Sequence, residues 1–242
     1  MNLVVDIGNT RIKQAVFEKG KLLYQHQFEA SQFLEKTKSV FEVYPNITDA
    51  IISSVKPLQN KEVELLSLFC KVHVLSASSK LPFFNEYATP QSLGVDRIAL
   101  AAAAHCLYPQ KEVLVIDAGT CITFDFVDGH GAYLGGSISP GMMMRYRAMH
   151  QQTAKLPLLE PLETKGLIGN TTETSMHFGV INGIVCEIDG IIDRYQAQYG
   201  YLTVILTGGD VHFFEKRLKN SIFANSNFLL EGLNFLLEHN KN

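Results

Sequence analysis

The chain has 242 residues, of which 46% are hydrophobic and 19% are charged, and its net charge is −3. This length accommodates one large or two small domains with a proper core, and the composition argues against disorder. The slight negative charge excludes a general electrostatic attraction to nucleic acid or to an anionic membrane. Any phosphate site must therefore be built locally from backbone amides, a metal ion and a few basic side chains.

Membrane, export and zinc-binding signals are weak in this sequence. No apolar run approaches the roughly 20 residues of a membrane span. The first strand begins without a basic and apolar leader, which argues against a signal peptide. The four cysteines form no C-x-x-C pair, and the eight histidines show no metal-binding spacing. We therefore expect a cytoplasmic protein with reduced thiols that binds neither nucleic acid nor membranes.

The first half predicts three consecutive strands and then an alternation of helices and strands. The expected elements are strands at 2–6, 11–17, 21–28, 50–52 and 72–75 and helices at 30–41, 58–68 and 98–107. A long loop at 76–92 precedes the last of these helices, which is rich in alanine. Four consecutive alanines there predict close packing against another element. Strands that alternate with helices in this way indicate an α/β layer domain with a mixed sheet.

The second half repeats the pattern of a strand, a hairpin and helices. The expected elements are strands from 113, at 120–127, 131–138 and 202–206, helices after Gly141, at 170–198 and 227–240, and a loop at 153–168. Three methionines follow Gly141, and we interpret them as gap-filling core residues.

An acid-tipped hairpin opens the chain. The apolar run Val4-Val5 ends in Asp6-Ile7-Gly8-Asn9-Thr10, and apolar residues resume at Ile12. Glycine lets backbone N–H groups come close to a ligand, and successive N–H groups can bind anionic oxygens. A carboxylate beside a phosphate requires a cation between them, and Mg²⁺ is the natural candidate.

The same arrangement recurs at Val115-Ile116-Asp117-Ala118-Gly119-Thr120, where Asp117 follows Asp6 by 111 residues. A single strand that ends in Asp-x-Gly is often only a β-turn. Two copies, a little under half a chain apart, indicate a duplicated domain with two hairpins that face each other across a cleft.

Three further segments have both a structural and a functional interpretation. Asp96 and Arg97 stand at a helix start, where an acid is also favoured by the helix dipole. The threonines at 171–174 can bind a ligand or cap the following helix. Residues 135–141 contain Gly-Gly and Pro-Gly before a helix, which leaves N–H groups available to an anion.

A nucleotide cleft fits these features better than the common alternatives do. The patterns G-x-x-x-x-G-K-[ST] and G-x-G-x-x-G are both absent. The two hairpins resemble the phosphate motifs of the acetate kinase, sugar kinase and actin superfamily, and Thr207-Gly208-Gly209-Asp210 resembles its adenosine motif.

The resemblance is narrower when all the motifs are taken in order. They are Asp6-Ile7-Gly8-Asn9-Thr10, Gly94-Val95-Asp96-Arg97, Ile116-Asp117-Ala118-Gly119-Thr120 and Gly135-Gly136-Ser137-Ile138-Ser139-Pro140-Gly141. Their order and the chain length resemble the type III pantothenate kinases, which act first in coenzyme A biosynthesis. The resemblance implies two ribonuclease H-like (actin-like ATPase) domains, 1–111 and 112–242, each a mixed five-stranded sheet flanked by helices, with a cleft between them.

The resemblance also implies roles for individual residues. Those expected to bind ATP are Asp6, Ile7, Gly8, Asn9, Thr10, Arg11, Ile12, Lys13 and Thr120. Those expected to bind pantothenate are Tyr87, Gly94, Val95, Asp96, Arg97 and Thr172, with Asp96 as the catalytic general base. Asp117 matches the ligand of a monovalent cation, K⁺ or NH₄⁺, and Asp6 is expected to hold Mg²⁺ through water. The family is expected to be dimeric, and Ile98 departs from the Trp that many members carry there.

Two alternatives stay open at this point. The chain could phosphorylate another small alcohol, which a substrate panel would reveal. It could also be a non-catalytic ATP-binding regulator of the same superfamily, although Asp96 beside Arg97 argues against that. An exopolyphosphatase would share the fold, but no stretch is basic enough to follow a long polyanion.

Overall fold

The computed structural model describes residues 1–56, 60–163 and 166–241. In chain order its strands and α-helices are β1 (Asn2–Ile7), β2 (Ile12–Glu18), β3 (Lys21–Phe28), α1 (Phe33–Val43), β4 (Asp49–Ser54), α2 (Asn60–Ser67), β5 (Lys71–Val74), β6 (Phe84–Asn85), α3 (Val95–Leu107), β7 (Val113–Ala118), β8 (Cys121–Val127), β9 (Ala132–Pro140), α4 (Met142–Gln152), α5 (Thr172–Tyr199), β10 (Thr203–Thr207), α6 (Val211–Phe214), β11 (Phe223–Ala224) and α7 (Phe228–Asn240).

The chain forms two compact units. The first contains residues 1–110, 127–135 and 227–242, and the second contains residues 111–126 and 136–226. The predicted domains are the continuous halves 1–111 and 112–242. In the structure, two segments of the second half belong to the first unit instead. The segment 127–135 clusters with the first unit, where β9 pairs with β6. The segment 227–242 clusters with the first unit because its helix α7 packs on α3.

The first unit is built on a mixed five-stranded sheet in the order β3-β2-β1-β4-β5. The first three strands are antiparallel neighbours, and β1, β4 and β5 run parallel. One face packs on α1 and α2 through a cluster that includes Leu3, Val5, Val16, Val40, Ile52 and Leu66. This pattern confirms the predicted strand–strand–strand start and the helix–strand alternation that follows.

The other side of this sheet is covered by α7 and α3. Helix α7 packs on β1 and β4, and α3 packs on α7 and β4. The alanines at 101–104 are fully buried, and a side chain at Gly232 would overlap the carbonyl oxygen of Ala99. The predicted close packing of the alanine-rich helix is therefore confirmed. A buried amide pair adds a polar link, since Asn2 Nδ2 donates to Asn234 Oδ1 at 2.7 Å.

The second sheet has six strands in the order β11-β10-β7-β8-β9-β6, one more than predicted. Strand β7 pairs with β10 in parallel register, and β10 pairs with β11. Strands β6 and β11 are not among the predicted elements, and each has only two residues; β6 lies in the predicted loop 76–92. Strand β6 is at the edge of the sheet. It pairs with Ala132 and Tyr133, and a two-residue edge strand carries no alternation from which it could be predicted.

The core of the second unit forms between its sheet and α5. Ile116, Phe124 and Leu206 belong to this cluster, as do Ile184 and Ile188 of α5. By length and composition α5 could cross a membrane, but core helices of soluble proteins meet the same criterion. The sequence argument about apolar runs did not single out this helix. Its apolar stripe is buried in the core cluster, which accounts for its composition without a membrane.

Most element boundaries agree with the predicted ones to within a few residues. The predicted helix 58–68 is observed as Asn60–Ser67, and residues 58 and 59 lie outside the described part of the chain. The predicted loop 153–168 contains neither helix nor strand in its described residues, 153–163 and 166–168. Of the three methionines, Met142 is buried as expected, Met143 is partly buried, and Met144 is exposed.

Candidate active site

The turn between β1 and β2 is built as the sequence predicts. Gly8 N–H donates to the carbonyl oxygen of Arg11 at 3.1 Å, which closes the turn over exposed Asn9 and Thr10. A side chain at position 8 would lie within 3.1 Å of that carbonyl oxygen, so glycine suits the tight turn. Lys56 Nζ donates to the carbonyl oxygen of Asn9 at 2.6 Å and brings a positive charge to the turn.

Asp6 is a buried carboxylate, 7% exposed, just before this turn. Ser53 Oγ donates to Asp6 Oδ1 at 2.9 Å, and Lys13 lies opposite Asp6 on β2. Burial raises the pKa of Asp6, while the Ser53 hydrogen bond and the charge of Lys13 lower it. The charge of Asp96 raises it further. The two acids that were expected to act on ATP and on the acceptor thus interact electrostatically within the first unit.

Asp96 lies in the first turn of α3 and folds back on the helix terminus. Its Oδ1 accepts a hydrogen bond from the backbone N–H of Arg97 at 2.9 Å. A side chain at Gly94, the residue before the helix, would overlap that same oxygen. The predicted Gly-Val-Asp-Arg motif therefore has a local explanation: glycine leaves room for the acid, and the helix N-terminus favours its negative charge.

Arg97 is 5% exposed and lies beside two tyrosines of the first unit. Its guanidinium carbon is 5.6 Å from the centroid of the Tyr87 ring and 6.0 Å from that of Tyr133. The predicted pair Tyr87 and Arg97 is thus brought together. Tyr133 is not among the site residues predicted from the sequence, because no motif contains it. The sequence indicates only that it lies in the apolar start of β9.

The second hairpin has the same design in the second unit. Gly119 N–H donates to the carbonyl oxygen of Cys121 at 2.9 Å, and Thr120 is exposed. Gly141 N–H donates to the carbonyl oxygen of Thr120 at 3.2 Å, and a side chain at 141 would overlap the backbone of Gly119 and Thr120. The predicted motifs at 116–120 and 135–141 therefore meet, with the second supporting the turn of the first.

The Gly-Gly turn after β10 lies directly beside Asp117. Gly208 has a φ of +102°, and a side chain there would overlap Asp117 Oδ1 and the carbonyl oxygen of Ala118. Asp210 N–H donates to that carbonyl oxygen at 2.9 Å. The segment that resembles an adenosine motif is therefore in contact with the second acid-tipped hairpin, and only glycine fits at 208.

Arg145 of α4 is a second residue that the motifs do not identify. Its Nε donates to the carbonyl oxygen of Pro140 at 2.9 Å, and its Nη2 donates to Ser139 Oγ at 3.1 Å. It also forms an ion pair with Glu187 of α5. These contacts hold the segment before Gly141, which in turn supports Thr120.

Thr172 is the first residue of α5 and is not its capping residue. Thr171 is the capping residue, because its Oγ1 accepts a hydrogen bond from Thr174 N–H at 3.1 Å. Thr172 is exposed and lines a cavity of about 720 Å³ together with Met149, Leu156 and Met176. The capping interpretation therefore applies to Thr171, and ligand binding by Thr172 stays a prediction.

The described residues contain no group of three or more His, Cys, Asp or Glu side chains that could hold a metal ion by themselves. A magnesium–nucleotide site needs only one or two carboxylates in addition to phosphate oxygens. Buried Asp6 and half-buried Asp117 are suitable donors for cations of that kind.

The mixed sheets flanked by helices have the actin-like ATPase fold, which sugar kinases share. A glucokinase from an Antarctic psychrotroph has a similar structure, with a TM-score of 0.54, 14% identity and 98% of both chains covered. A Campylobacter jejuni protein assigned to the Baf family of transcriptional activators has a TM-score of 0.65 at 21% identity, with 98% of both chains covered. At these identities the likeness concerns the fold.

Sequence comparison identifies the family. Residues 2–194 match the family model of type III pantothenate kinases. A type III pantothenate kinase from Christiangramia forsetii is 50% identical over 241 residues and is covered to 99%, with 100% of this chain. One from Flavobacterium johnsoniae is 47% identical over 233 residues, with 96% of both chains covered. The chain belongs to the type III pantothenate kinase family, which confirms the predicted family, fold and enzyme class.

Proposed function

We propose that this chain transfers the γ-phosphoryl group of ATP to the primary hydroxyl of pantothenate, giving 4′-phosphopantothenate in the first step of coenzyme A biosynthesis. Family membership supports the reaction. One observation carries the assignment of residues: the start of α3 presents Asp96 next to Arg97 and within electrostatic reach of the hairpin acid Asp6.

Asp96 acts as the general base. The hydroxyl oxygen of pantothenate forms a bond to the γ-phosphorus while the bond from the γ-phosphorus to the β–γ bridging oxygen breaks. The hydroxyl proton passes to Asp96, and ADP leaves. Phosphoryl transfer depends mainly on positioning and charge stabilisation. One well-placed acid that accepts the hydroxyl proton is therefore the only acid–base group that the reaction needs from the protein. The hydrogen bond from Arg97 N–H to Asp96 Oδ1 holds the carboxylate in one orientation.

The acceptor is bound by residues around the same helix start. Arg97 pairs with the pantothenate carboxylate, because a planar guanidinium suits a carboxylate bidentately. Tyr87 lies over this guanidinium, and Gly94 and Val95 supply backbone beside Asp96. The family resemblance also assigns Thr172 to the acceptor, to which it would add a hydroxyl.

ATP phosphates are held by the two hairpins. In the first, the exposed turn 9–11 offers backbone N–H groups, and Lys13 contributes a positive charge opposite Asp6. In the second, Thr120 offers an exposed hydroxyl on a turn that Gly141 supports. Arg11 is exposed beside the first turn and belongs to the same phosphate-binding run.

Cations complete the charge balance at both acids. Asp6 would hold Mg²⁺ through water, and this ion would supply positive charge beside the phosphates. Asp6 fits this role because burial raises its pKa and the charge of Asp96 raises it further, so a cation beside it would stabilise the ionised carboxylate. Asp117 holds K⁺ or NH₄⁺, for which a carboxylate and the neighbouring backbone oxygens near Gly208 are suitable donors.

A second copy of the chain forms a cytoplasmic homodimer. Leu167 and Ile168, 80% and 87% exposed, present large apolar side chains to solvent. Leu167 also lines a cavity of about 410 Å³ with Phe178, Gly183 and Cys186 of α5. Neighbouring exposed apolar groups of this kind mark interaction surfaces, so this surface supports the dimer.

The substitution Asp96→Asn tests the assignment of the base. Asn keeps the size of the side chain and the oxygen that accepts from Arg97 N–H, but it cannot take up the proton. Turnover in a coupled ADP-release assay with pantothenate should fall by at least about 100-fold. The affinity for ATP, measured by calorimetry, should stay within about threefold.

Asp49→Asn serves as the matched control, since Asp49 is an acid of the same compact unit and lies on β4. It should retain wild-type turnover. Loss of ATP binding together with turnover in Asp96→Asn would contradict the role of Asp96, and lack of wild-type turnover with pantothenate would contradict the proposed reaction.

A further inference from the structure

Tyr133 stands beside the proposed acceptor site without belonging to any motif of the sequence. It is fully buried at the start of β9. Its ring is 6.2 Å from that of Tyr87, and the guanidinium of Arg97 lies at a similar distance from both rings. The inference below rests on the proposed function, in which Arg97 binds the substrate carboxylate.

The position of Tyr133 is determined by backbone and side-chain contacts. Strand β6 pairs with it in parallel register, and Glu86 N–H donates to the carbonyl oxygen of Tyr133 at 3.0 Å. Phe83 packs on its ring edge-on, with centroids 6.1 Å apart. Tyr133 is therefore a rigid part of the first unit and not an adaptable surface group.

Tyr87 is confined from the other side. Its ring packs over Gly135, which has a φ of +105°, and a side chain there would lie 3.2 Å from the ring. The Tyr87 ring is inclined by 35° to the Tyr133 ring. Both rings thus have defined orientations around the guanidinium of Arg97.

A guanidinium near two ring faces gains cation–π attraction, which grows when the charge is shielded from water. Arg97 is almost fully buried, so this condition holds. A long side chain that is already ordered loses less conformational entropy when it pairs with a carboxylate. The rings therefore favour the form of Arg97 that is ready to bind.

We infer that Tyr133 is a positioning residue, which holds the guanidinium of Arg97 in the orientation that pairs with the carboxylate of the acceptor. Tyr133 acts through Arg97 and takes no part in proton or phosphoryl transfer. Its aromatic ring carries this role.

Three substitutions test this inference by steady-state kinetics. Tyr133→Leu removes the ring and should raise the KM for pantothenate about tenfold, while kcat and the KM for ATP stay within about threefold. Tyr133→Phe keeps the ring and should remain close to wild type. Tyr133→Met, which keeps more of the volume, is measured in parallel so that the comparison does not depend on one variant folding.

A neutral acceptor separates positioning from general damage. Pantothenol carries the same primary hydroxyl but an alcohol in place of the carboxylate, so its KM should be equal in wild type and Tyr133→Leu. Tyr146→Leu removes an equally buried tyrosine from the second unit and serves as the stability control. It should lower the melting temperature without a selective change in the KM for pantothenate.

The outcomes are distinct. Wild-type turnover of pantothenate tests the proposed function, and its absence would overturn both proposals. With turnover present, an unchanged KM for pantothenate in Tyr133→Leu and Tyr133→Met would overturn the inference alone. So would an equal rise for pantothenol, or a loss in Tyr133→Phe as large as in Tyr133→Leu.

Discussion

The substitution Asp6→Asn should stabilise the nucleotide-free protein while it abolishes turnover. Burial is the largest influence on the pKa of Asp6 and raises it, so the ionised carboxylate is destabilising in the folded chain. Asn keeps an oxygen that can accept from Ser53 Oγ, and it removes the buried charge. Attraction to Lys13 is lost, but Lys13 is partly exposed and contributes less than about 1 kcal/mol.

The net gain should be about 1 kcal/mol at neutral pH, the usual size of such a stabilising change. For a chain of this length that corresponds to a rise in melting temperature of about 2–4 °C. Calorimetry or scanning fluorimetry of the ATP-free protein gives this difference directly. Turnover should be lost because the variant cannot hold Mg²⁺ beside the phosphates.

The gain should also depend on pH in a defined direction. The pKa of Asp6 in the folded chain lies above its ordinary value of 3.8, so the folded state binds the proton more tightly than the unfolded chain does. Wild type therefore gains stability, relative to the variant, as the pH falls through the raised pKa. The difference between the two proteins should shrink and then disappear below about 3.8.

Asp49→Asn provides the comparison, because Asp49 is a less buried acid on the neighbouring strand, 3.9 Å from Lys241 Nζ. It should show no gain in melting temperature. The argument is refuted when Asp6→Asn lowers the melting temperature at neutral pH, or when its gain stays constant as the pH falls.

Two further predictions concern the cation and the dimer. Asp117→Ala should weaken activation by K⁺, measured as turnover against K⁺ concentration at constant ionic strength, because a carboxylate donor is lost; unchanged K⁺ dependence would remove Asp117 from the cation site. Ile168→Asp should weaken dimerisation by more than about tenfold in sedimentation velocity, since a charge is placed on the exposed apolar surface. Leu68→Asp is its control, because Leu68 is also highly exposed, at 78%, but lies in the first unit; an equal dimer constant for Ile168→Asp and wild type would exclude this surface.

The parts of the fold that could be predicted from the sequence are those with a local signal. Alternating apolar residues and a glycine turn identify the first hairpin, and buried runs of apolar residues identify β7 and β10. Asp96 and Arg97 are found because their motif is contiguous in the chain. Gly94 receives its physical reason only from the structure, where the Asp96 carboxylate occupies the space of a side chain.

The parts that could not be predicted depend on contacts between distant segments. Tyr133 and Tyr87 are neighbours beside Arg97 where the two-residue strand β6 pairs with β9. Arg145 supports Thr120 through two intermediate residues, a relation that no spacing reveals. The amphipathic pattern of α7 predicts a covered helix, but it does not indicate which sheet the helix covers.

The place of α7 has a consequence for how the protein is made. Asn2 and Asn234 are hydrogen-bonded partners 232 positions apart, and α7 covers the helix that carries Asp96. During translation the first unit cannot finish its core until the ribosome has made the whole of the second. Contacts of such long sequence separation slow folding, so the acceptor site becomes competent late, after the second unit has been synthesised.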